Sequence, residues 1–394
     1  MTDLQQTIDH LDRLIAWPTV SSDSNLALIE DCAERLDALG ARVEVHRSAD
    51  GTKANLWATF GPDIDGGVVL SGHSDVVPVT DQDWTSDPFR LAERDGLLYG
   101  RGTCDMKGFI AACMAMAPVL AERATARPVH FAFTHDEEVG CLGGAELVHI
   151  LRERGVTPGV AIIGEPTSMR VIEGHKGCCE YRTSFTGLEG HGSRPELGVN
   201  AVDYAVRYAA RLHAISHELT TRAPEGSRFE PPWTTINVGK LVGGHAHNVI
   251  PGKALIDWDL RPVVWDDAEF VKSEMADYVA HTLLPAMQAV HPGAGISVET
   301  VGEVPGLEPM DQNEARDLVS ELTGANGTDL VAFGTEAGLF QSLGTSAVVC
   351  GPGSIEQAHK PDEFIAPDQL QECLTFLDRL SVTLSTPPGQ AADA

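Results

Sequence analysis

The chain has 394 residues, of which 43% are hydrophobic, enough for a sizeable core and too many for a disordered chain. Its 57 Asp and Glu against 28 Lys and Arg leave a net charge of −29 with His neutral. A surface this acidic repels phosphate backbones and anionic lipid, which argues against nucleic acid and membrane as partners.

The amino-terminal stretch is polar and amphipathic, with no basic region leading into an apolar core, and no apolar run approaches membrane-spanning length. The eight Cys are scattered without a CxxC pair, which points to free thiols in a reducing compartment; we expect a cytoplasmic protein.

Leu11, Leu14 and Ile15 share one face of a helix over 7–17 that Pro18 stops. A second helix covers about 25–39 and closes at Gly40. Strands follow at 41–47, 55–61 and 67–73, the last apolar before it ends, as in a strand buried on both faces. An apolar helix at 108–123, a strand at 128–138, a helix over GGAELVHILRERG and a strand at 159–166 complete an alternation that predicts an α/β domain with a largely parallel sheet.

The rhythm changes near residue 178. An alternating strand, a helix over 200–219, strands at 234–244 and 253–263, a helix over 267–287 and the strand GISVETVGEV give the order β-α-β-β-α-β, the ferredoxin-like arrangement. We expect it as an inserted unit over 180–303, with 1–179 and 304–394 forming the α/β domain. The latter resumes with a helix at 311–323, a strand near 329–333, the strand SAVVCGPG and a helix at 367–383. The tail STPPGQAADA is expected to be disordered.

Chemistry-bearing residues gather where strands end. His73 closes one strand and Asp75 follows it; Asp105 precedes the apolar helix; Glu137 and Glu138 end another strand and Glu165 a fourth. His359 stands in the returning segment. In an open α/β sheet the carboxyl ends of the strands form the ligand crevice. Each residue alone has a bland reading as a turn, cap or surface group, but together imidazoles and carboxylates suit zinc or a similar divalent ion. A carboxylate can bridge two such ions, and a free one beside them can take a proton from water.

The motifs SGHSDVVPV, YGRGTCDMKG, HDEEVGCLGGAE, IIGEPT, HKG, GHGSRPELGVNA and GPGSIEQAHKPDE stand in an order that resembles the co-catalytic dizinc aminoacylase and peptidase family, over about residues 5–380. That family includes acetylornithine deacetylase, succinyl-diaminopimelate desuccinylase and the glutamate-releasing carboxypeptidase. IIGEPTSMRVIEGHKG, DLRP, FGTEAGLFQ and GPGSIEQAHKPDEF look most like its acetylornithine deacetylase branch.

The resemblance implies a mostly parallel-sheet catalytic domain with an inserted ferredoxin-like lid that also makes a homodimer. It implies two Zn²⁺ or Co²⁺ ions: one held by His73 and Glu165, the other by Glu138 and His359, with Asp105 bridging. Asp75 would orient His73. Glu137 would be the general base, and His191 would reach the oxyanion from the other subunit.

The implied substrate is a small N-acyl amino acid, foremost N2-acetyl-L-ornithine, cleaved to L-ornithine and acetate on the route to arginine. The alternatives are a sister deacylase, or a dipeptidase or carboxypeptidase of the same family. Arg261 is the natural clamp for the substrate carboxylate, with Lys176 and Asn248 as helpers. The turn holding Gly351, Gly353 and Ser354 could meet an anion. Thr335 and Glu336 replace the pattern usual in the desuccinylase branch, and Glu336 is expected to attract a side-chain ammonium. His245 and His247 are read as lid-loop residues, and His130 and His135 as structural.

Overall fold

The computed structural model describes residues 4–386. The tail whose disorder the composition suggests lies largely outside them. The chain divides into two compact units: residues 1–174 with 309–331 and 335–394, and residues 175–308 with 332–334.

The first unit is built on a mixed eight-stranded sheet. From one edge it runs Arg42–Arg47, Ala54–Phe60, Val129–Thr134, Val68–His73, Val160–Pro166, Ser346–Gly351, Ile172–His175 and Asp329–Val331. Its centre is parallel, and antiparallel pairings flank it. The parallel strands Val68–His73, Val129–Thr134 and Val160–Pro166 are buried along their whole length, which explains their long apolar runs. The helix Lys107–Arg123 is apolar on nearly every side because it lies between the sheet and the helices Leu4–Ile15 and Pro367–Thr383.

The parallel register aligns the strand ends. His73 pairs with Thr134, Ser71 with Ile163, and Gly351 with Pro166. The residues just past these positions therefore emerge at one edge of the sheet. A small sheet of Ala92–Arg94, Leu97–Tyr99 and Phe364–Ile365 ties the 92–99 hairpin to the segment after His359. Its strands are too short for alternation to reveal, and the sequence reading missed them.

The second unit holds a four-stranded antiparallel sheet in the order Thr235–Gly243, Lys253–Arg261, Cys178–Thr186, Gly295–Val304. In sequence order these are its second, third, first and fourth strands, the ferredoxin-like topology. Its core packs Tyr181, Phe185, Ile256 and Trp258 against Tyr208, Leu212 and Ile215 of the helix Ala201–Leu219 and Val271 of the helix Trp265–Tyr278. Asn200 caps the former helix by accepting from the amides of Val202 and Asp203. The single helix expected over 267–287 is broken by a π-helical stretch, Val279–Leu283. All eight cysteines are free thiols. No helix among the described residues is long and apolar enough to cross a membrane.

Candidate metal centre

Six side chains from five places in the sequence meet at the carboxyl edge of the parallel strands. His73 is the last residue of its strand, 1% exposed. Its Nε2 stands 2.9 Å from Asp105 Oδ1 and 3.7 Å from Glu165 Oε1. His359, in the left-handed region at φ 63°, places Nε2 2.9 Å from Glu138 Oε2 and 3.4 Å from Asp105 Oδ2. Asp105 thus presents one oxygen to each imidazole. It precedes the long apolar helix by two residues, and its peptide bond to Met106 is cis. Glu137 belongs to the same cluster: ligand atoms of His73, Glu137 and Glu165 lie within 4.8 Å of one another, as do those of His73, Asp105 and Glu138. No other such grouping of His, Cys, Asp and Glu occurs among the described residues.

The backbone around the cluster is fixed by neighbours. Asp75 Oδ1 accepts the Glu137 amide at 3.1 Å, Oδ2 accepts the Glu138 amide at 3.4 Å, and the Ser21 hydroxyl donates to Oδ2 at 2.7 Å. The His73 ring Nδ1 lies closest to the Asp75 carbonyl, at 2.9 Å, with carboxylate Oδ1 at 3.6 Å. Asp75 therefore orients His73 chiefly through its backbone, while its carboxylate holds the Glu137–Glu138 turn. The Lys53 ammonium pairs with Asp136, and Asn55 Oδ1 accepts the His135 amide, which secures the turn from the other side.

The electrostatics of the cluster call for positive charge. Burial pushes Glu137 and Glu165 well above the ordinary carboxylate range, and the surrounding carboxylates add to the push. Burial and Asp105 likewise raise Glu138. Burial opposes ionisation of Asp105 too, but contact with His359 and His73 holds it well below its usual value. His359 is pushed up to about 10 by contact with Asp105 and Glu138. His73 is raised against the effect of burial by Asp105 and Asp75. Moreover, Glu165 Oε1 is buried without a hydrogen-bond partner. A buried acceptor left open costs roughly 1–3 kcal/mol unless something cationic or donating meets it. This set of two imidazoles and four carboxyls fits divalent metal, with nitrogen and oxygen donors of the kind zinc accepts.

Residues 69–382 match peptidase family M20/M25/M40. The chain belongs to that family. An acetylornithine deacetylase of Proteus mirabilis (strain HI4320) is 37% identical over 361 residues, 90% of each chain. One of Myxococcus xanthus is 37% identical over 380 residues, covering 94% of this chain and 95% of the relative. Among solved structures, an M20 family metallo-carboxypeptidase of Sulfolobus solfataricus superposes with a TM-score of 0.72 at 16% identity, over 96% of this chain and 99% of its own. A dinuclear metal-binding M20 peptidase of Bacillus subtilis does so with 0.65 at 17% identity, over 97% and 98%. M20 enzymes are metal-dependent hydrolases of peptide and acyl-amide bonds, and this chain is an enzyme of that class.

Within this M20 chain the residues expected to touch substrate are scattered over both units. In the second unit His191 and Asn248 are neighbours and exposed. The strand Gly190–His191 pairs with Val249–Ile250, and the Gly192 amide donates to the Asn248 carbonyl. The Arg261 guanidinium is partly exposed, with Asp259 at 3.2 Å and Glu180 at 3.9 Å. Lys176 is engaged: its ammonium donates to the Pro231 and Trp233 carbonyls at 2.8 and 2.9 Å.

In the first unit the Gly353 amide donates to Gln369 and the Gly351 amide to the Thr167 hydroxyl, so neither is free to hold an anion. Thr335 is buried and accepts the Ala337 amide. Glu336 is 1% exposed, with the Thr134 and Ser71 hydroxyls donating to its two oxygens at 2.5 and 3.2 Å. It is an interior group beneath His73 rather than a surface lure for an ammonium. Sequence reasoning passed over Gln82, Arg101 and Glu363, which border the site. The only signal for the last two was their place inside the motifs YGRGTCDMKG and GPGSIEQAHKPDE.

Proposed function

We propose that the chain hydrolyses N2-acetyl-L-ornithine to L-ornithine and acetate, a step of arginine synthesis. The observation that carries this is the 37% identity, across about nine-tenths of the chain, to relatives named acetylornithine deacetylase. The intact cluster around Asp105 supports the chemistry. His73 and Glu165 would hold one divalent ion and Glu138 and His359 the other, with Asp105 facing both imidazoles. Zn²⁺ suits these donors, and Co²⁺ is compatible with them.

Divalent ions held by these residues would supply Lewis-acid polarisation of the acyl carbonyl and a more acidic attacking water. Glu137 takes the proton of that water and returns it to the leaving amine nitrogen. His191, supplied by the partner subunit of a homodimer formed through the second unit, donates to the oxyanion of the tetrahedral intermediate. Arg261 binds the substrate α-carboxylate; its own acidic neighbours, Asp259 and Glu180, keep the guanidinium aligned until a stronger partner arrives.

The test is amide hydrolysis by protein reconstituted with Zn²⁺ or Co²⁺, comparing kcat/KM for N2-acetyl-L-ornithine, N-acetyldiaminobutyrate, N-acetylmethionine and N-succinyl-diaminopimelate. The reading predicts N2-acetyl-L-ornithine as the best substrate. Preference for another amide keeps the chemistry and rejects the assigned substrate. No turnover of any of them rejects the deacylase reading.

A further inference from the structure

A chain of hydrogen bonds outside the metal cluster joins the two loops that carry Asp105 and His359. It begins at Glu363, whose side chain is fully buried. Glu363 Oε1 accepts the amides of Cys104 and Asp105 at 2.8 and 3.0 Å, and Oε2 accepts the Gly102 amide at 2.9 Å. Arg101, also buried, donates Nη1 to Glu363 at 2.7 Å and Nη2 to Gln82 Oε1 at 2.6 Å. The Trp84 indole donates to the same Gln82 oxygen at 3.0 Å. Two donors on one side fix which way the Gln82 amide faces. Its nitrogen therefore points to the His359 carbonyl and donates to it at 2.9 Å.

Two features make this more than packing. The Arg101–Glu363 pair is buried and bonded on both sides, to three backbone amides and to Gln82, so it links the two loops in one fixed geometry. His359 itself sits in the left-handed region, which disfavours a side chain with a Cβ and persists only where the surroundings impose it. The Gln82 amide is the side-chain group bonded to the backbone of that residue.

We propose that Gln82 is a positioning residue for metal binding: through Arg101 and Glu363 it sets the separation of His359 from Asp105, and so governs the ion held in the His359–Glu138 half of the site. The inference rests on the two-ion reading above.

The experiment is a Co²⁺ titration of the metal-free full chain, followed by calorimetry and visible absorption, for wild type, Gln82→Glu and Gln82→Met. Gln82 lies on a partly exposed loop, so neither change burdens the core. Gln82→Glu keeps the acceptor for Arg101 and Trp84 but loses the donor to His359; Gln82→Met loses both. The expected result is two equivalents in wild type, and in both variants one equivalent at wild-type affinity and a second at least tenfold weaker. Two equivalents at wild-type affinity in the variants, or equal weakening of both, overturns the inference. Fewer than two equivalents in wild type overturns the two-ion reading, and the inference with it.

Discussion

Asp75 illustrates how much one side chain of the site has to do. Its carboxylate meets the amides of Glu137 and Glu138 and the hydroxyl of Ser21, so it fixes the backbone that carries both acids. The Asp75→Ala change leaves those amides without their acceptor, a loss of roughly 1–3 kcal/mol in a buried setting. Groups that orient metal-site residues typically change metal affinity or activity about 10–100-fold when removed. We therefore expect Asp75→Ala to lower kcat within that range and Asp75→Asn, which keeps one acceptor oxygen, to lose less. Steady-state kinetics with a denaturant midpoint for each variant checks both. The family motifs made the acids and imidazoles legible because they stand in a set order along the chain. The Asp75 carboxylate's hold on the Glu137–Glu138 turn was not legible, because it joins positions more than sixty residues apart.

At the scale of elements, the sequence carried the long pieces well. The buried strands and the amphipathic helices appear within a few residues of where periodicity put them. What escaped was short or bent: the three-residue strands Ala92–Arg94 and Leu97–Tyr99, the strand Ile172–His175, and the π-helical interruption at Val279–Leu283. Such pieces are made by tertiary pairing, and a run of three or four residues has no period to read.

Gly164 marks where packing is tightest near the site. A Cβ there would overlap the ring of Phe109 on the apolar helix, and the next residue is Glu165. Gly164→Ala is expected to destabilise the first unit by roughly 1–3 kcal/mol, as overpacked cores do, and to reduce activity beyond what the stability loss explains. Pairing Gly164→Ala with Phe109→Leu should recover part of both; a fully active, fully stable single variant would contradict the packing account.

At the scale of the whole molecule, two buried histidines, one in each unit, each subtract from stability in acid. Burial holds His130 down to about 4, the Gly66 carbonyl opposing and Arg42 assisting; burial likewise holds His175 down to about 4. Both rings are neutral in the folded state, whereas the unfolded chain takes up protons below about 6.5. The unfolded state thus binds more protons as pH falls. The stabilisation is complete above about 6.5 and is lost progressively down to about 4, by at most roughly 3 kcal/mol for each ring. Denaturant unfolding between pH 7 and 4.5 should show wild type losing stability relative to His130→Gln as pH falls. An unchanged slope in that variant would contradict the assignment. Bound divalent metal should raise the melting temperature, since it binds the folded state and relieves the repulsion among Glu137, Glu138 and Glu165.

With Glu137 as the base of a metal-loaded cluster, cleavage of an acyl amide depends on its carboxylate. The most direct measurement is single-turnover hydrolysis of N2-acetyl-L-ornithine by wild type and Glu137→Gln, with metal content determined on the same samples. Two metal equivalents are expected in both proteins, with a fall in the hydrolysis rate of at least about a hundredfold in the variant, the usual size of a lost general base. Undiminished turnover by Glu137→Gln with its metals in place would contradict Glu137 as the base.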